Sequence, residues 1–235
     1  MMQAAHEVHC YTTTLTPTPE ALAHAKSLLS PDEQKRASQF HFEHHRTHFI
    51  AARGFLRLTL GFILNQDPKN LVFTYGKHQK PALKNEALQF NLAHSGELAV
   101  LATHPIHPLG IDIEQVQTQN KRDIAERFFS AEENAFLNRC SDQEQNDAFF
   151  ALWARKEAVV KAIGTGLQQS LSSFTVPLTA HNALIIVDEK PWRVWPLAIH
   201  PNYASALATH PDIKNISFWQ WLEGQRVPDE QKKYF

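Results

Sequence analysis

Cysteine is nearly absent from this chain of 235 residues: Cys10 and Cys140 are the only two. That is too few for a disulfide framework or a cysteine-rich metal site. Glycine is also scarce, with 8 in all. No Gly-x-Gly-x-x-Gly, Walker loop or Gly-x-Ser-x-Gly elbow occurs, so a phosphate cradle built on glycines is not expected. Neither sign of charge dominates, since 23 Lys and Arg face 24 Asp and Glu for a net charge of −1. No general polyanion binder is expected, and any anion site must be a local cluster. No apolar run approaches membrane-spanning length, and no basic–apolar–small pattern marks a secretory signal. The expectation is a cytoplasmic protein with reduced thiols that contacts neither membrane nor nucleic acid. Its hydrophobic content of 43% is that of a globular chain. Its length suffices for a core without a staple.

The pattern along the chain is mixed. A strand is expected over Val8 to Leu15, a short helix over Glu20 to Leu29, and a new helix from Pro31. A long helical pattern runs from about Phe40 to Leu64. A strand over Leu71 to Tyr75 precedes a polar loop over Gly76 to Glu86. Phe90-Asn91-Leu92 and Leu98 to Thr103 bracket a turn at His94-Ser95-Gly96, as in a hairpin. His104-Pro105-Ile106-His107-Pro108 reads as a linker, after which the order starts again. A strand spans Leu109 to Val116, helices follow from Lys121 and Ser130, and a long helix covers Asn146 to Gly164. Further strands are expected near Phe174, 184–187, 192–196, 204–209 and 217–222, with a polar end over Asp229 to Phe235. Leu28-Leu29-Ser30-Pro31-Asp32-Glu33 parallels Phe128-Phe129-Ser130-Ala131-Glu132-Glu133. This suggests a duplicated α+β unit with a seam between the copies.

Three segments carry candidate chemistry. On the strand Leu109-Gly110-Ile111-Asp112-Ile113-Glu114 the apolar residues share one face, and Asp112 and Glu114 share the other. Paired carboxylates suit a hard cation such as Mg²⁺, or simply a solvated acidic face. On the second long helix, Lys156 falls amid an apolar stripe of Phe149, Leu152, Trp153, Val159, Val160 and Ile163. It must either snorkel out or reach an anion at a seam. Glu157 and Lys161 lie together on the flank of that stripe. On the first long helix Arg53 is equally mid-stripe, with Arg46 and Arg57 in series. The guanidinium series suits phosphate recognition, or pairing with core carboxylates and carbonyls. His41, His44, His45 and His48 lack the metalloprotease pattern and read as a polar helix face.

Together these blocks resemble the phosphopantetheinyl transferases of the surfactin-synthetase-activating (Sfp-like) type. The matching segments are Gly110-Ile111-Asp112-Ile113-Glu114, Trp153-Ala154-Arg155-Lys156-Glu157-Ala158-Val159-Val160-Lys161, Phe128-Phe129-Ser130 with Glu133, Phe90-Asn91-Leu92-Ala93-His94-Ser95, and Lys80-Pro81. They span Leu28 to Leu167. Ala93 stands where the family has Ser and Gln79 where it has Gly, both expected near the bound coenzyme.

The resemblance implies an α+β pseudo-dimer of two similar halves, each a small, mainly antiparallel sheet packed on a long helix. Residues 1–107 would make the coenzyme A phosphate contacts, and 108–235 would carry the metal site and catalytic helix. It implies Mg²⁺ on Asp112, Glu114 and Glu157, with coenzyme A as co-substrate. Coenzyme contacts would come from Arg36, Arg46, Lys80, Pro81, His94 and Ser95, with Arg53 added from the guanidinium series. Lys156 and Lys161 would face the diphosphate, and Glu133 or Glu157 would act as base. The implied reaction moves 4'-phosphopantetheine to a serine of an apo acyl or peptidyl carrier protein, by a monomer. The alternatives are a catalytically degenerate coenzyme A-binding pseudo-dimer and a Mg-dependent nucleotide diphosphate hydrolase.

Overall fold

The fold is given by a computed structural model that describes residues 6–76, 80–118, 121–164, 166, 170–178, 182–222, 225–229 and 233–234. Gln79 lies outside the described residues. The chain opens with β1 (Glu7–Thr14), α1 (Pro19–Leu28), α2 (Pro31–Ser38) and the long α3 (Glu43–Leu64). A ribbon of β2 (Phe73–Tyr75) and β3 (Pro81–Leu83) follows, then the hairpin β4 (Gln89–Ser95) and β5 (Leu98–His104). The second half comprises β6 (Gly110–Gln115), α4 (Arg122–Phe128), α5 (Ala131–Leu137), α6 (Asp142–Ile163), β7 (Ala183–Val187), β8 (Lys190–Ala198) and β9 (Tyr203–Thr209). The chain ends with β10 (Asn215–Leu222), β11 (Gln225–Pro228) and β12 (Lys233–Tyr234).

Local signals explain the helix starts. Thr18 accepts from the Ala21 N–H with Pro19 at the first helical turn of α1. Ser30, Ser130 and Ser141 each form a capping box with the glutamate three residues on. Gly164, at φ +81°, terminates α6. Gly96, at φ +52°, opens the two-residue turn between β4 and β5.

Two sheets pack face to face. The first runs β11-β10-β1-β5-β4, and the second runs β12-β8-β9-β6 with β7 also paired to β8. Strand alternation sorts the side chains into layers. Val8, Cys10, Val100, Ala102, Ile111, Ile113, Trp195 and Leu207 meet between the sheets. Tyr11, Ala99, Leu101 and Phe90 turn outward onto α3, while Val194, Ala206 and Ala208 turn outward onto α6. Each sheet is thus an inner layer with its own long helix outside, the pseudo-dimer arrangement. By length and composition α3 could cross a membrane, but here it is a core helix with Arg53 and Arg57 buried along it.

Four expectations need correction. The boundary at 107/108 lies between β5 and β6, but residues 108–235 do not all join the second sheet. β10 pairs in parallel with β1, and β11 follows it, so residues 215–228 complete the first sheet. The reason is that β10 is apolar on both faces. Ile216 and Phe218 face the inter-sheet core and Trp221 faces α3, so only a site covered on both sides satisfies it. No strand forms at Phe174, which follows a short 3₁₀ turn over Leu171–Ser173. The loop expected over 76–86 contains β3, and Lys233–Tyr234 in the expected polar end pairs with β8.

α6 approaches β6 so closely that a Cβ on Gly110 would stand 2.1 Å from the Ala158 carbonyl and 2.3 Å from the Ala162 nitrogen. Backbone cannot yield as a flexible side chain does, so Gly110→Ala must push the helix off the strand. We expect a loss of roughly 1–3 kcal/mol, as for overpacked cores, measured by urea denaturation followed by circular dichroism.

Candidate active site

The close packing at Gly110 brings the outward face of β6 under the C-terminal half of α6. Asp112 and Glu114 rise from the strand, and Glu157 and Lys161, one helical turn apart, descend from α6. Asp112 is 3% exposed, so the acidic strand face is not a solvated one. Its Oδ1 accepts from Lys161 Nζ at 2.5 Å, while its Oδ2 is buried with no hydrogen-bond partner. Glu114 Oε2 accepts from Ser95 Oγ at 3.1 Å.

All three carboxyl groups titrate above their ordinary range. Burial is the largest cause for each. For Asp112 it outweighs the attraction of Lys161. For Glu114 the charge of Asp112 adds to burial, and for Glu157 Asp112 again pushes upward against Lys161. Three carboxylates around one ammonium leave the cluster short of positive charge. An all-oxygen donor set with an orphaned buried carboxylate oxygen suits a hard divalent cation. The three carboxylates do not form a group whose oxygens all lie within 4.8 Å of one another. Among the described residues His107, His210 and Asp212 do.

The N-terminal half supplies the opposite wall. β4 lies beside β6 without pairing with it, and side chains replace the ladder: Asn91 Oδ1 accepts from Ile111 N–H at 2.8 Å, and Ser95 Oγ accepts from Gln115 N–H at 3.0 Å. Lys80 crosses the seam, its Nζ donating to the carbonyls of Leu109 (2.9 Å) and Lys161 (2.5 Å). Burial, then the nearby Lys161 charge, lowers Lys80 to about 8. Pro81 starts β3 opposite Tyr75. His94 projects to the α3 side of β4, where partial desolvation, then Lys161 and His48, lowers its pKa. Lys161 therefore sits where the acidic cluster, Lys80 and His94 meet. Farther out, Arg46 bonds Glu43 Oε2 (2.7 Å) and the Phe40 carbonyl (3.0 Å), and the exposed Arg36 guanidinium lies 5.3 Å from the Phe49 ring centre.

Three expected site residues are placed elsewhere. Lys156 is fully buried, and its Nζ donates to Glu133 Oε2 (2.9 Å) and to the carbonyls of Leu171 (2.7 Å) and Phe174 (2.6 Å). An ammonium with three donors so committed has none for a phosphate. Glu133 also accepts from the N–H groups of Ser130 and Val176, both at 2.8 Å, so it is enclosed and has no access to a substrate proton. Arg53 pairs through two nitrogens with Glu33, which also holds Arg57 at 2.7 Å and the Ser30 N–H at 3.0 Å. The two mid-stripe cations thus answer the capping-box glutamate of the preceding helix in each half. The patterns Ser30-x-x-Glu33 and Ser130-x-x-Glu133 carried that signal, but only the fold pairs each glutamate with its cation.

Ala93 is enclosed in the inter-sheet core, 5% exposed, and so does not line the opening. Sequence reasoning missed Asn91 and Tyr203 as seam residues. Asn91 lay within a segment already singled out. Tyr203, whose hydroxyl accepts from Glu97 N–H at 3.3 Å, had no local signal.

Two outcomes follow from these geometries. Lys156→Met strands the Glu133 charge and is expected to cost about 3–5 kcal/mol. The double variant with Glu133→Gln should recover part of that in a urea-denaturation cycle. At the acidic cluster, raised folded pKa values mean that the native state binds more protons than the unfolded chain. Stability there falls as pH rises through the carboxyl range. In chelator at pH 7, Asp112→Asn should therefore melt higher than the wild type. The difference should shrink on acidification toward the ordinary carboxylate range.

Comparison with known proteins accords with this arrangement. The 4'-phosphopantetheinyl transferase superfamily model (ACPS) matches residues 108–209, and the N-terminal model of 4'-phosphopantetheinyl transferase (AASDHPPT_N) matches 13–106. The 4'-phosphopantetheinyl transferase HetI of Nostoc sp. (strain PCC 7120) is 32% identical over 220 residues, covering 92% of this chain and 92% of its own. The 4'-phosphopantetheinyl transferase Sfp of Bacillus subtilis (strain 168) is 29% identical over 192 residues, 80% of this chain and 85% of its own. The crystal structure of Thermotoga maritima holo-[acyl-carrier-protein] synthase (AcpS) matches 43% of this chain and 61% of its own at 22% identity. Its TM-score is 0.31. The chain belongs to the 4'-phosphopantetheinyl transferase family and is an enzyme of that class.

Proposed function

We propose that this chain transfers the 4'-phosphopantetheine moiety of coenzyme A to a serine hydroxyl of an apo acyl or peptidyl carrier protein. The reaction releases adenosine 3',5'-bisphosphate and depends on Mg²⁺. The observation that carries the reading is the charge-deficient cluster of Asp112, Glu114 and Glu157, with its orphaned Asp112 Oδ2, at the seam of the two family-matched halves.

Asp112, Glu114 and Glu157 would hold the ion. Bound there, Mg²⁺ supplies neutralisation of the diphosphate charge. The looser spacing of the carboxylates suits an ion that keeps several waters. Lys161, 31% exposed and paired with Asp112, would donate to a diphosphate oxygen. Arg36, Arg46 and His94 would meet the remaining phosphate charge of the coenzyme.

Transfer requires the serine Oγ to bond the phosphorus carrying the pantetheine arm as the bridging oxygen departs with the bisphosphate. The hydroxyl proton needs an acceptor. Glu157 would take that task, because Glu133 is enclosed whereas Glu157 is only half-buried.

The test is intact mass of an apo carrier protein after incubation with this chain, coenzyme A and Mg²⁺. One added phosphopantetheine per carrier, lost on chelation, is the expected result. Asp112→Ala should abolish it, and Glu157→Gln should slow it by about 10²–10⁴-fold. Lys156→Arg, in folded protein, should slow it far less. Coenzyme binding without any mass gain on fatty-acid or peptidyl carriers would overturn transfer and leave the degenerate binder.

A further inference from the structure

Before the start of β6 and after the end of β9, two crossovers between the sheets meet. One is the link from β5 to β6, which carries His107. The other is the return from β9 to β10, which carries His210 and Asp212. The His107 and His210 rings lie 4.1 Å apart and 8° from parallel. A nitrogen of each and an Asp212 carboxylate oxygen all lie within 4.8 Å of one another. His210 Nδ1 and Asp212 Oδ2 are 3.4 Å apart. The same nitrogen also accepts from the Asp212 N–H at 3.3 Å, a weak bond that coordination through Nδ1 would replace.

The surroundings fix the backbone that carries these groups. His104 is fully buried, stacks on His107 at 5.2 Å, and its Nδ1 accepts from the N–H groups of Ile106 (3.1 Å) and His107 (2.8 Å). His6 lies beside the Asp212 carbonyl, Nδ1 to O 3.2 Å, and the His6 carbonyl accepts from Lys214 and Asn215. The anchoring backbone is therefore tied on both crossovers before any ion arrives.

We propose that His107, His210 and Asp212 form a second metal site, selective for a borderline transition ion of the zinc class and separate from the carboxylate cluster. Two imidazoles and one carboxylate suit Zn²⁺ or Co²⁺, whereas Mg²⁺ prefers oxygen donors alone. Because the rings are stacked, their in-plane lone pairs run parallel. Convergence on one ion needs a rotation about χ2, a torsion whose energy well is broad. The ion would cross-link two of the crossovers between the sheets and stabilise the native chain by mass action.

The test uses the full chain with Mg²⁺ in excess, titrated with Co²⁺ by visible absorption and with Zn²⁺ by calorimetry. One saturable equivalent is expected, together with a rise in melting temperature. His107→Ala and Asp212→Asn should each weaken binding by about tenfold or more. Asp212→Asn removes only an exposed carboxylate charge, so it keeps the test valid if His107→Ala misfolds. The double variant His44→Ala/His48→Ala should bind as the wild type does. Absence of saturable binding, binding unchanged in Asp212→Asn, or loss confined to the His44/His48 variant would each overturn the site.

Discussion

The approach of α6 to β6 at Gly110 is the constraint on which the rest depends. With any side chain there, the helix would ride higher and Glu157 and Lys161 would withdraw from Asp112 and Glu114. The cluster exists because two backbones touch, with the hydrophobic contacts of α6 on β8 and β9 holding them there. Burial then does the electrostatic work. It raises the carboxyl pKa values and leaves one oxygen of Asp112 without a partner. A site so short of positive charge costs the chain stability, and function at such sites is commonly set against stability in this way.

The scaffold that tolerates this cost is the same device used twice. In each half a serine–glutamate capping box starts a short helix, and its glutamate reaches a basic residue midway along the following long helix. Glu33 takes two arginines and Glu133 takes one lysine. Both glutamates are also satisfied by backbone N–H groups, which is what lets a buried ion pair persist. The duplication is therefore visible in chemistry as well as in topology. It breaks at the end of the chain, where β10 and β11 return to the first sheet and tie the halves together.

The seam differs from these closed networks in being incomplete. Within it Lys80 is committed to two carbonyls and Ser95 to Glu114 and the β6 backbone, so the walls are fixed. Lys161, Arg36 and Arg46 keep exposed donors. Rigid walls with a few accessible cations suit the polyanionic coenzyme proposed as the donor.

Much was legible along the chain because it depends on neighbours in sequence. Strand alternation put Asp112 and Glu114 on one face, helical spacing put Glu157 beside Lys161, and capping patterns marked the helix starts. The repeat of Leu28–Glu33 in Phe128–Glu133 pointed to two halves. What the sequence could not decide was which partner each buried charge would find. Arg53 and Lys156 were anomalous on their stripes, but Glu33 and Glu133 lie on other helices, and only packing brings them into contact. The same holds for β10, whose two apolar faces call for a central place that the first sheet alone could offer. Local patterning determined the elements and the acidic strand. Tertiary packing decided which charges were closed into the core and which were left facing the seam, because burial and pairing are properties of the assembled chain.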